Sequence, residues 1–304
     1  AVIDHATLHD PVDKLATFAE LRTSALRLAG TDFGMCQTPD AWLSRVGNAA
    51  RQAARYRAGR VLLAGDAAHI HYPAGGQGLN LGLQDAANLA WKLAAEIRGW
   101  APPGLLDSYH AERYPVGLDV IDDSLAQCGL IANPTREGVA LRDRFNAILG
   151  TDPSLCRELA VRLSGLAIRY PPPAPPPGHP LVGQRAPDLD LRNGPSATLF
   201  GLLPPARFVL LNLESAVPAT PGAPDLPGVL ATPASPDTSA ASVGFADRLD
   251  TATAMLARDA PDFAGIRALL IRPDGYIAWA TAADDEPPLD SWLGHALSPG
   301  QPRH

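Results

Sequence analysis

The sequence contains few cysteines, and their arrangement argues against two kinds of site. Its 304 residues include three cysteines, Cys36, Cys128 and Cys156, which lie far apart and form no C-x-x-C pair. An odd number at such spacing favours neither a disulfide framework nor a zinc or dithiol site. We therefore expect free thiols and a reducing, cytoplasmic location.

Long apolar runs and an excess of positive charge are also missing. No stretch approaches the roughly 18 consecutive apolar residues of a membrane-spanning helix, and the N-terminus has no signal-peptide pattern. The formal net charge is −7, and no basic stripe is present, so neither nucleic acid nor a membrane is the expected partner. With 46% hydrophobic residues, the composition is typical of a globular protein of about two domains. Because the first residue is Ala1 and not methionine, we expect a piece of a longer product.

Residues 60–97 combine the patterns of a strand, a glycine-rich loop and a helix. The apolar run at 61–64 suits a strand buried on both faces, and Asp66 offers a carboxylate just beyond its end. The loop leads into a helix whose first turn carries unpaired N–H groups and a partial positive charge, which suits an anion or a polarised carbonyl. The positions expected to face the core from this helix are Leu79, Leu83, Ala86, Ala90, Leu93 and Ile97.

Other local patterns predict the elements around this stretch. Thr17 and Glu20 have the spacing of a capping box, and their helix is expected to end at Gly30. Short strands are expected at 33–36 and 41–46 with a turn at 38–40, and helices at 105–127, kinked near Pro115, and at 141–168, interrupted at 150–153.

The C-terminal half predicts a second folding unit. A proline-rich connector at 171–180 marks a boundary, because such a segment cannot form a core element. The later elements expected are a central strand at 207–213, a surface loop at 217–237, a hairpin at 268–279 with its turn at 273–275, and a closing helix at 289–297.

Three patterns have simpler interpretations than a functional site. His69 and His71 could begin a metal site, but no third ligand follows at a suitable spacing, which favours ring packing. Gly76-Gln-Gly78 lacks the lysine and hydroxyl residue of a nucleotide-triphosphate loop. The residues of the third pattern lie at helical spacing and are expected to pack and pair with one another: Tyr109, Glu112 and Arg113.

Several motifs resemble those of the FAD-dependent aromatic hydroxylases related to para-hydroxybenzoate hydroxylase. They are Gly65-Asp66, the run from Pro73 to Asn80, Gln84-Asp85 and Trp91-Lys92. Residues 31–34, 42–45 and 105–113 resemble the branch that acts on polycyclic aromatic polyketides such as anthracyclines and angucyclines. That branch carries a C-terminal thioredoxin-like domain, to which residues 181–187 and 272–275 are similar.

The family also begins with a strand–GxGxxG–helix unit for the ADP half of FAD and carries a later Asp-Gly motif, and this sequence has neither. The resemblance therefore implies a C-terminal portion that would need a missing N-terminal FAD-binding segment. The expected fold class is α/β, with part of a Rossmann-like FAD-binding domain and a thioredoxin-like domain. The expected units are the end of the substrate-binding domain (1–40), the C-terminal part of the FAD-binding domain (41–130), a helical and proline-rich connector (131–180), and a thioredoxin-like domain without redox cysteines (181–304).

The resemblance also implies a cofactor and roles for individual residues. The cofactor would be FAD, reduced by NADPH or NADH, and its C4a-hydroperoxide would oxygenate the substrate without a catalytic side chain or a metal. Asp66 would accept a hydrogen bond from the ribitol. The other cofactor-binding residues would be Pro73, Gly75, Gly76 and Gly78, whose backbone lies against the isoalloxazine, and Leu79 and Asn80, whose N–H groups face its N1–C2=O–N3 edge.

The reaction implied is hydroxylation of a polycyclic aromatic or phenolic compound with O2 and NAD(P)H. Baeyer–Villiger oxygenation on the same scaffold is a second interpretation. A third, from another class, is a non-catalytic interaction protein with a vestigial flavin groove. A homodimer is left open by the sequence.

Overall fold

The computed structural model of the chain describes residues 2–7, 10–11, 13–45, 47, 49–171, 178–203, 206–214 and 243–295. The expected surface loop at 217–237, most of the proline-rich connector and the end of the closing helix lie outside these residues. Within the described ranges the fold is α/β, as predicted. Its helices are α1 (Phe18–Ala29), α2 (Gly78–Ile97), α3 (Ser108–Ala132), α4 (Arg136–Thr151), α5 (Pro153–Leu163) and α6 (Leu289–Leu293).

The helix boundaries follow local signals closely. Thr17 caps α1 with a capping box to Glu20, and Gly30 ends the helix in the left-handed conformation at φ 72°. The predicted interruption of the later helices is where α4 ends and α5 begins, with Asp152 accepting hydrogen bonds from the first turn of α5. The capping box, the end at Gly30 and the interruption at 150–153 are therefore confirmed. Helix α3 runs through Pro115 without a break, and the kink expected there stays a prediction.

The strands expected in the first part of the chain are mostly wrong. Residues 33–36 and 41–45 contain no strand, and Phe33 has a φ of 54°, which a strand does not allow. Only the turn between them forms, where the Ala41 N–H donates to the Thr38 carbonyl at 3.0 Å. Short antiparallel pairs occur instead: β1 (Arg51–Gln52) with β4 (His69–Ile70), and β2 (Arg57–Ala58) with β3 (Val61–Leu62).

The run at 61–64 is therefore not the buried strand that its composition suggests. Only Val61 and Leu62 are in a strand, and Val61 is 63% exposed. In the part of the chain that the structure describes, β3 pairs only with β2. A strand is buried on both faces only when sheet neighbours and covering helices surround it, so the apolar run alone overstates its burial.

The predicted core face of α2 is also wrong. Leu79, Leu83 and Ile97 are 77%, 59% and 77% exposed. The buried face carries polar and charged side chains instead, which find partners on other elements. Its buried members are Leu81, Asp85, Asn88, Trp91, Lys92 and Ala95.

The C-terminal part folds around a five-stranded sheet. Its strands are β5 (Leu191–Arg192), β6 (Phe208–Leu213), β7 (Leu249–Leu256), β8 (Ala268–Ile271) and β9 (Ile277–Thr281), in the order β5-β7-β6-β8-β9. The pair β6 and β7 is parallel and the other pairs are antiparallel. The predicted central strand and hairpin are confirmed, with Gly275 in the hairpin turn at φ 81°. Strands β5 and β7 were not predicted. The thioredoxin-like assignment stays a prediction.

The two faces of this sheet have different partners. Alternate residues of a strand point to opposite faces, so Val209 and Leu211 join a core within the C-terminal part, whereas Phe208 and Leu210 face α2. There the Trp91 ring meets Phe208 edge-on, with ring centroids 5.3 Å apart. The sheet therefore packs directly on the helix that begins at the glycine-rich loop.

No described helix is long and apolar enough to cross a membrane.

Candidate functional site

The site begins with a tight turn after the β2–β3 hairpin. Residues Gly65–Ala67 form a single 3-10 turn, in which Gly65 has a φ of 59° and Asp66 is exposed. The Gly65 N–H donates to the Asp85 carboxylate at 3.0 Å. Because the Asp66 side chain has no hydrogen bond among the described contacts, its carboxylate is available to a ligand hydroxyl.

The glycine-rich loop forms a second tight turn before α2. Residues Ala74–Gly76 are a 3-10 turn that follows Pro73, and Gly75 and Gly76 have φ values of 75° and 63°. A Cβ on Gly75 would lie 3.2 Å from an amide oxygen of Gln127. Positive φ angles favour glycine, so no side chain covers the loop backbone at these positions.

The first turn of α2 offers its N–H groups without an internal cap. The residue before the helix, Gln77, makes no side-chain capping bond, and the first turn holds no acidic residue. Leu79 and Asn80 lie in that turn and are exposed. The first N–H groups of a helix have no intrahelical partner, so this 20-residue helix presents free donors and the positive end of its dipole.

The structure places the first of these turns against helix α2. Gly65–Ala67 packs against α2, and a Cβ built on Gly82 would lie only 3.3 Å from the Gly65 Cα. The turn that carries Asp66 is thus held against α2 by a close backbone contact at Gly82, the fifth residue of the helix.

A fully buried carboxylate on α2, Asp85, bonds the Gly65–Ala67 turn. Its Oδ2 is 2.7 Å from His69 Nε2, and its Oδ1 accepts from Arg113 Nε at 2.7 Å. Burial by itself raises the pKa of Asp85, but the bonds from His69, Arg113 and the Gly65 N–H outweigh it and lower the pKa. The carboxylate therefore stays ionised.

A second buried cluster joins α2 and α3 to the C-terminal hairpin. Glu112 accepts hydrogen bonds from Lys92 at 2.7 Å and from Arg272 at 2.8 Å through both guanidinium NH2 groups. Asp274 accepts from Arg272 Nη2 at 2.6 Å and from the Trp91 indole at 3.1 Å. Two acids and two bases balance the charge of this cluster.

These clusters correct the expectation that Tyr109, Glu112 and Arg113 pair with one another. Tyr109 donates instead to the Leu63 carbonyl at 2.7 Å, and the two charged residues reach different acceptors and donors on other elements. The sequence does carry a signal for this arrangement: Asp85, Asn88 and Lys92 recur at helical spacing on α2, together with Trp91. Polar residues at helical spacing together with a tryptophan are compatible with a buried helix face whose polar groups are hydrogen-bonded, as well as with a face exposed to solvent.

The two histidines of the H-x-H pattern have different neighbours. His69 is buried against the Tyr56 ring, with centroids 6.0 Å apart, while His71 Nδ1 is 2.9 Å from the Tyr72 carbonyl oxygen. Among the residues that the structure describes, no group of three or more histidine, cysteine, aspartate or glutamate side chains is placed to hold a metal ion.

The donor set fits the polar edge of a flavin. The uncapped start of α2 suits a carbonyl or an anion, the bare glycine backbone lets a flat ring approach closely, and exposed Asp66 suits a hydroxyl. The contact between Gly65 and Gly82 holds the turn that carries Asp66 against the helix that follows the glycine-rich loop.

Comparison with known proteins identifies two family segments. The profile of the FAD binding domain matches residues 9–124, and that of the aromatic-ring hydroxylase C-terminal domain matches residues 179–299. An uncharacterized aromatic compound monooxygenase of Bacillus subtilis, YhjG, is 43% identical over 284 residues, which are 93% of this chain and 52% of that protein. A rifampicin monooxygenase of Streptomyces venezuelae is 40% identical over the same shares.

Solved structures show the same relationship. The anhydrotetracycline hydroxylase OxyS from Streptomyces rimosus superimposes with a TM-score of 0.77 at 41% identity, over 94% of this chain and 55% of that one. The chain thus spans about half the length of the relatives that it matches. With an FAD-binding segment and an aromatic-ring hydroxylase segment in one chain, the protein belongs to the family of FAD-dependent aromatic-ring hydroxylases.

Proposed function

We propose that this chain forms part of an FAD-dependent monooxygenase that hydroxylates a polycyclic aromatic or phenolic compound with O2 and NADPH or NADH. The observation that carries the proposal is the packing of the turn with the exposed Asp66 carboxylate against α2, a helix whose start is uncapped. Relatives that act on rifampicin and anhydrotetracycline support a large, fused-ring substrate. Three unpaired cysteines support a reducing, cytoplasmic location.

Each turn has a separate role in this proposal. Asp66 accepts a hydrogen bond from the ribitol chain of FAD, and the N–H groups of Leu79 and Asn80 face the carbonyl edge of the isoalloxazine. The backbone of Pro73, Gly75, Gly76 and Gly78 lies against the ring. A helix N-terminus stabilises a nearby negative charge by about 0.3–1 kcal/mol, and by up to about 2 kcal/mol when it is partly buried. The α2 start therefore favours the reduced, anionic cofactor.

Bound FAD supplies the oxygen chemistry. The side chains of this chain bind and orient the cofactor, and none is required as an acid or base. The ADP half of FAD would be held by an N-terminal segment of the kind found in the family, and the substrate cavity would involve a middle domain of which residues 1–40 form the end. The units at 41–130, 131–180 and 181–304 complete the proposed organisation.

The test uses the complete product of the reading frame that encodes these residues. Purified protein is mixed with FAD, and its visible absorbance and NADPH oxidation are measured with anhydrotetracycline, rifampicin and simple phenols. We expect bound flavin, substrate-stimulated oxidation and a product heavier by one oxygen atom. A product with a new phenol supports hydroxylation, whereas an inserted ester oxygen supports Baeyer–Villiger chemistry. A protein that stays colourless with added FAD contradicts the proposal and favours a non-catalytic role.

A further inference from the structure

We propose that Asp85 is a positioning residue that holds the Gly65–Ala67 turn, which carries Asp66, against helix α2. The inference rests on the proposed function, because it assigns the role through the FAD-facing residues. Asp85 does not itself face the proposed flavin site. It lies on α2, seven residues after Gly78, where its side chain is fully buried.

The hydrogen bonds of Asp85 converge on the turn that carries Asp66. Its Oδ2 accepts from the Gly65 N–H at 3.0 Å and lies 2.7 Å from His69 Nε2. Gly65 immediately precedes Asp66, and His69 opens strand β4 three residues after it. One carboxylate oxygen on α2 therefore bonds the first residue of the turn that carries Asp66 and the first residue of the strand that follows this turn.

Arg113 holds the other side of the same carboxylate. Its Nε donates to Oδ1 at 2.7 Å, and its Nη2 donates to the Leu81 carbonyl at 3.2 Å. The guanidinium is itself fully buried. Because Arg113 contacts both Asp85 and the backbone one turn earlier on α2, the carboxylate cannot rotate without breaking several bonds.

The close contact between Gly65 and Gly82 leaves no room for a side chain between the turn and the helix. A Cβ on Gly82 would come within 3.3 Å of the Gly65 Cα, so the turn lies on the helix backbone without a side chain between them. Gly82 precedes Asp85 by three residues, which places both on the same face of α2. The glycine permits the contact and the carboxylate holds it.

An amide cannot replace this carboxylate. Asparagine has one acceptor oxygen and an NH2 group that only donates, whereas the three partners of Asp85 all approach as donors when His69 Nε2 carries its proton. In Asp85→Asn the NH2 group takes the place of one carboxylate oxygen, so a donor there faces the donors that this oxygen had accepted from. We expect the turn at Gly65 to move, and Asp66 to move with it.

The buried carboxylate of Glu112 provides a matched control. It accepts from Lys92 and Arg272, and it has no described contact with the turn at Gly65. Glu112→Gln also breaks a buried charge cluster, so both variants lose stability. Only Asp85→Asn is expected to change the flavin site.

The experiment uses the complete gene product and compares wild type, Asp85→Asn and Glu112→Gln. The free energy of unfolding, the dissociation constant for FAD and the visible spectrum of the bound flavin are measured for each protein. Amide exchange at Gly65 is measured without FAD. We expect Asp85→Asn to bind FAD about tenfold more weakly, as when groups that orient ligand-binding side chains are removed, with an altered spectrum and faster exchange. Glu112→Gln should keep the wild-type affinity and spectrum.

A variant with all charges intact covers the case in which Asp85→Asn fails to fold. Gly82→Ala presses on the Gly65 Cα and adds a favourable helix residue, and it should weaken FAD binding in the same direction by a smaller factor. Wild-type affinity and spectrum in folded Asp85→Asn, or in Gly82→Ala, would overturn the inference, as would an equal loss in Glu112→Gln. If wild type binds no FAD, the proposed function itself fails. If wild type binds FAD and the variants behave like it, only the role of Asp85 fails.

Discussion

Arg272 and Glu112 form a two-bonded ion pair across the boundary between the two family segments. Arg272 Nη1 donates to Oε1 and Nη2 to Oε2, both at 2.8 Å, although 160 residues separate the two positions. Four aromatic rings surround the guanidinium, with centroids 5.1 to 5.9 Å from its carbon: Trp91, Tyr170, Tyr276 and Trp292. The hairpin of the C-terminal sheet is thus attached to α3 by a buried charge.

The first prediction concerns the loss of this pair. Arg272→Gln leaves the Glu112 and Asp274 carboxylates without their main partner, and breaking a buried pair costs about 3–5 kcal/mol. Arg267→Gln is the matched control, because its guanidinium bonds Asp284 at 2.9 Å with 45% and 64% of the two side chains exposed. Exposed pairs contribute about 0–1 kcal/mol. Urea unfolding measures both changes, and similar losses in the two variants would contradict the buried role of Arg272.

The second prediction concerns stability in acid. Burial by itself raises the pKa of Glu112, but Arg272 and Lys92 outweigh it and lower the pKa to about 2, from an ordinary value of 4.5. Protonation is therefore harder in the folded protein than in the unfolded chain. The stabilisation is present above pH 4.5 and is lost as the pH falls from 4.5 towards 2.

Glu112→Gln removes this dependence and so isolates it. On lowering the pH from about 7 to about 3, we expect wild type to lose about 2 kcal/mol more unfolding free energy than the variant. Urea unfolding at a series of pH values gives the two curves. Parallel curves would show that Glu112 titrates normally in the folded state.

Local signals in the sequence predict the ends of elements well. The capping box at Thr17, the left-handed Gly30 and the hairpin turn ending at Gly275 each involve residues within a few positions of one another. Their physics is contained in a short segment, so no distant partner is needed to see it. The resemblance, which rests on spaced motifs, likewise identified the family.

The face of a helix and the burial of a strand depend on distant residues. Leu79 and Leu83 gave α2 an apparent apolar face, yet the buried face holds Asp85 and Lys92. Their partners, Arg113 and Glu112, lie on the next helix. Periodicity cannot distinguish a solvated charge from a buried one whose partner comes from another element.

The third prediction uses two glycines of α3 that differ only in their surroundings. A Cβ on Gly117 would lie 2.4 Å from the Tyr56 hydroxyl, whereas one on Gly129 would meet nothing within 4 Å. Gly129→Ala should stabilise the protein by up to about 1 kcal/mol through helix propensity. Gly117→Ala should destabilise it by about 1–3 kcal/mol through overpacking. Thermal unfolding compares them, and a gain in both would show that Tyr56 moves aside freely.

The last prediction addresses the proposed contact with FAD. Asp66 is exposed and has no described hydrogen bond through its side chain, so Asp66→Ala should change the free energy of unfolding by no more than about 0.5 kcal/mol. A hydrogen bond to a charged group contributes about 1.5–3 kcal/mol, which corresponds to a loss of FAD affinity of about tenfold to a hundredfold. Flavin fluorescence titration of the complete gene product measures the dissociation constant.

Asp143→Ala is the matched control for that measurement, because Asp143 is an exposed aspartate on α4, away from both turns. Its affinity for FAD should equal that of wild type, since the lost charge is the same and only the position differs. An equal decrease in both variants would mean that net charge, and not a contact from Asp66, controls binding. A decrease confined to Asp66→Ala supports the ribitol contact, because an exposed side chain with no partner among the described residues is expected to affect the cofactor by touching it or by acting on it at short range.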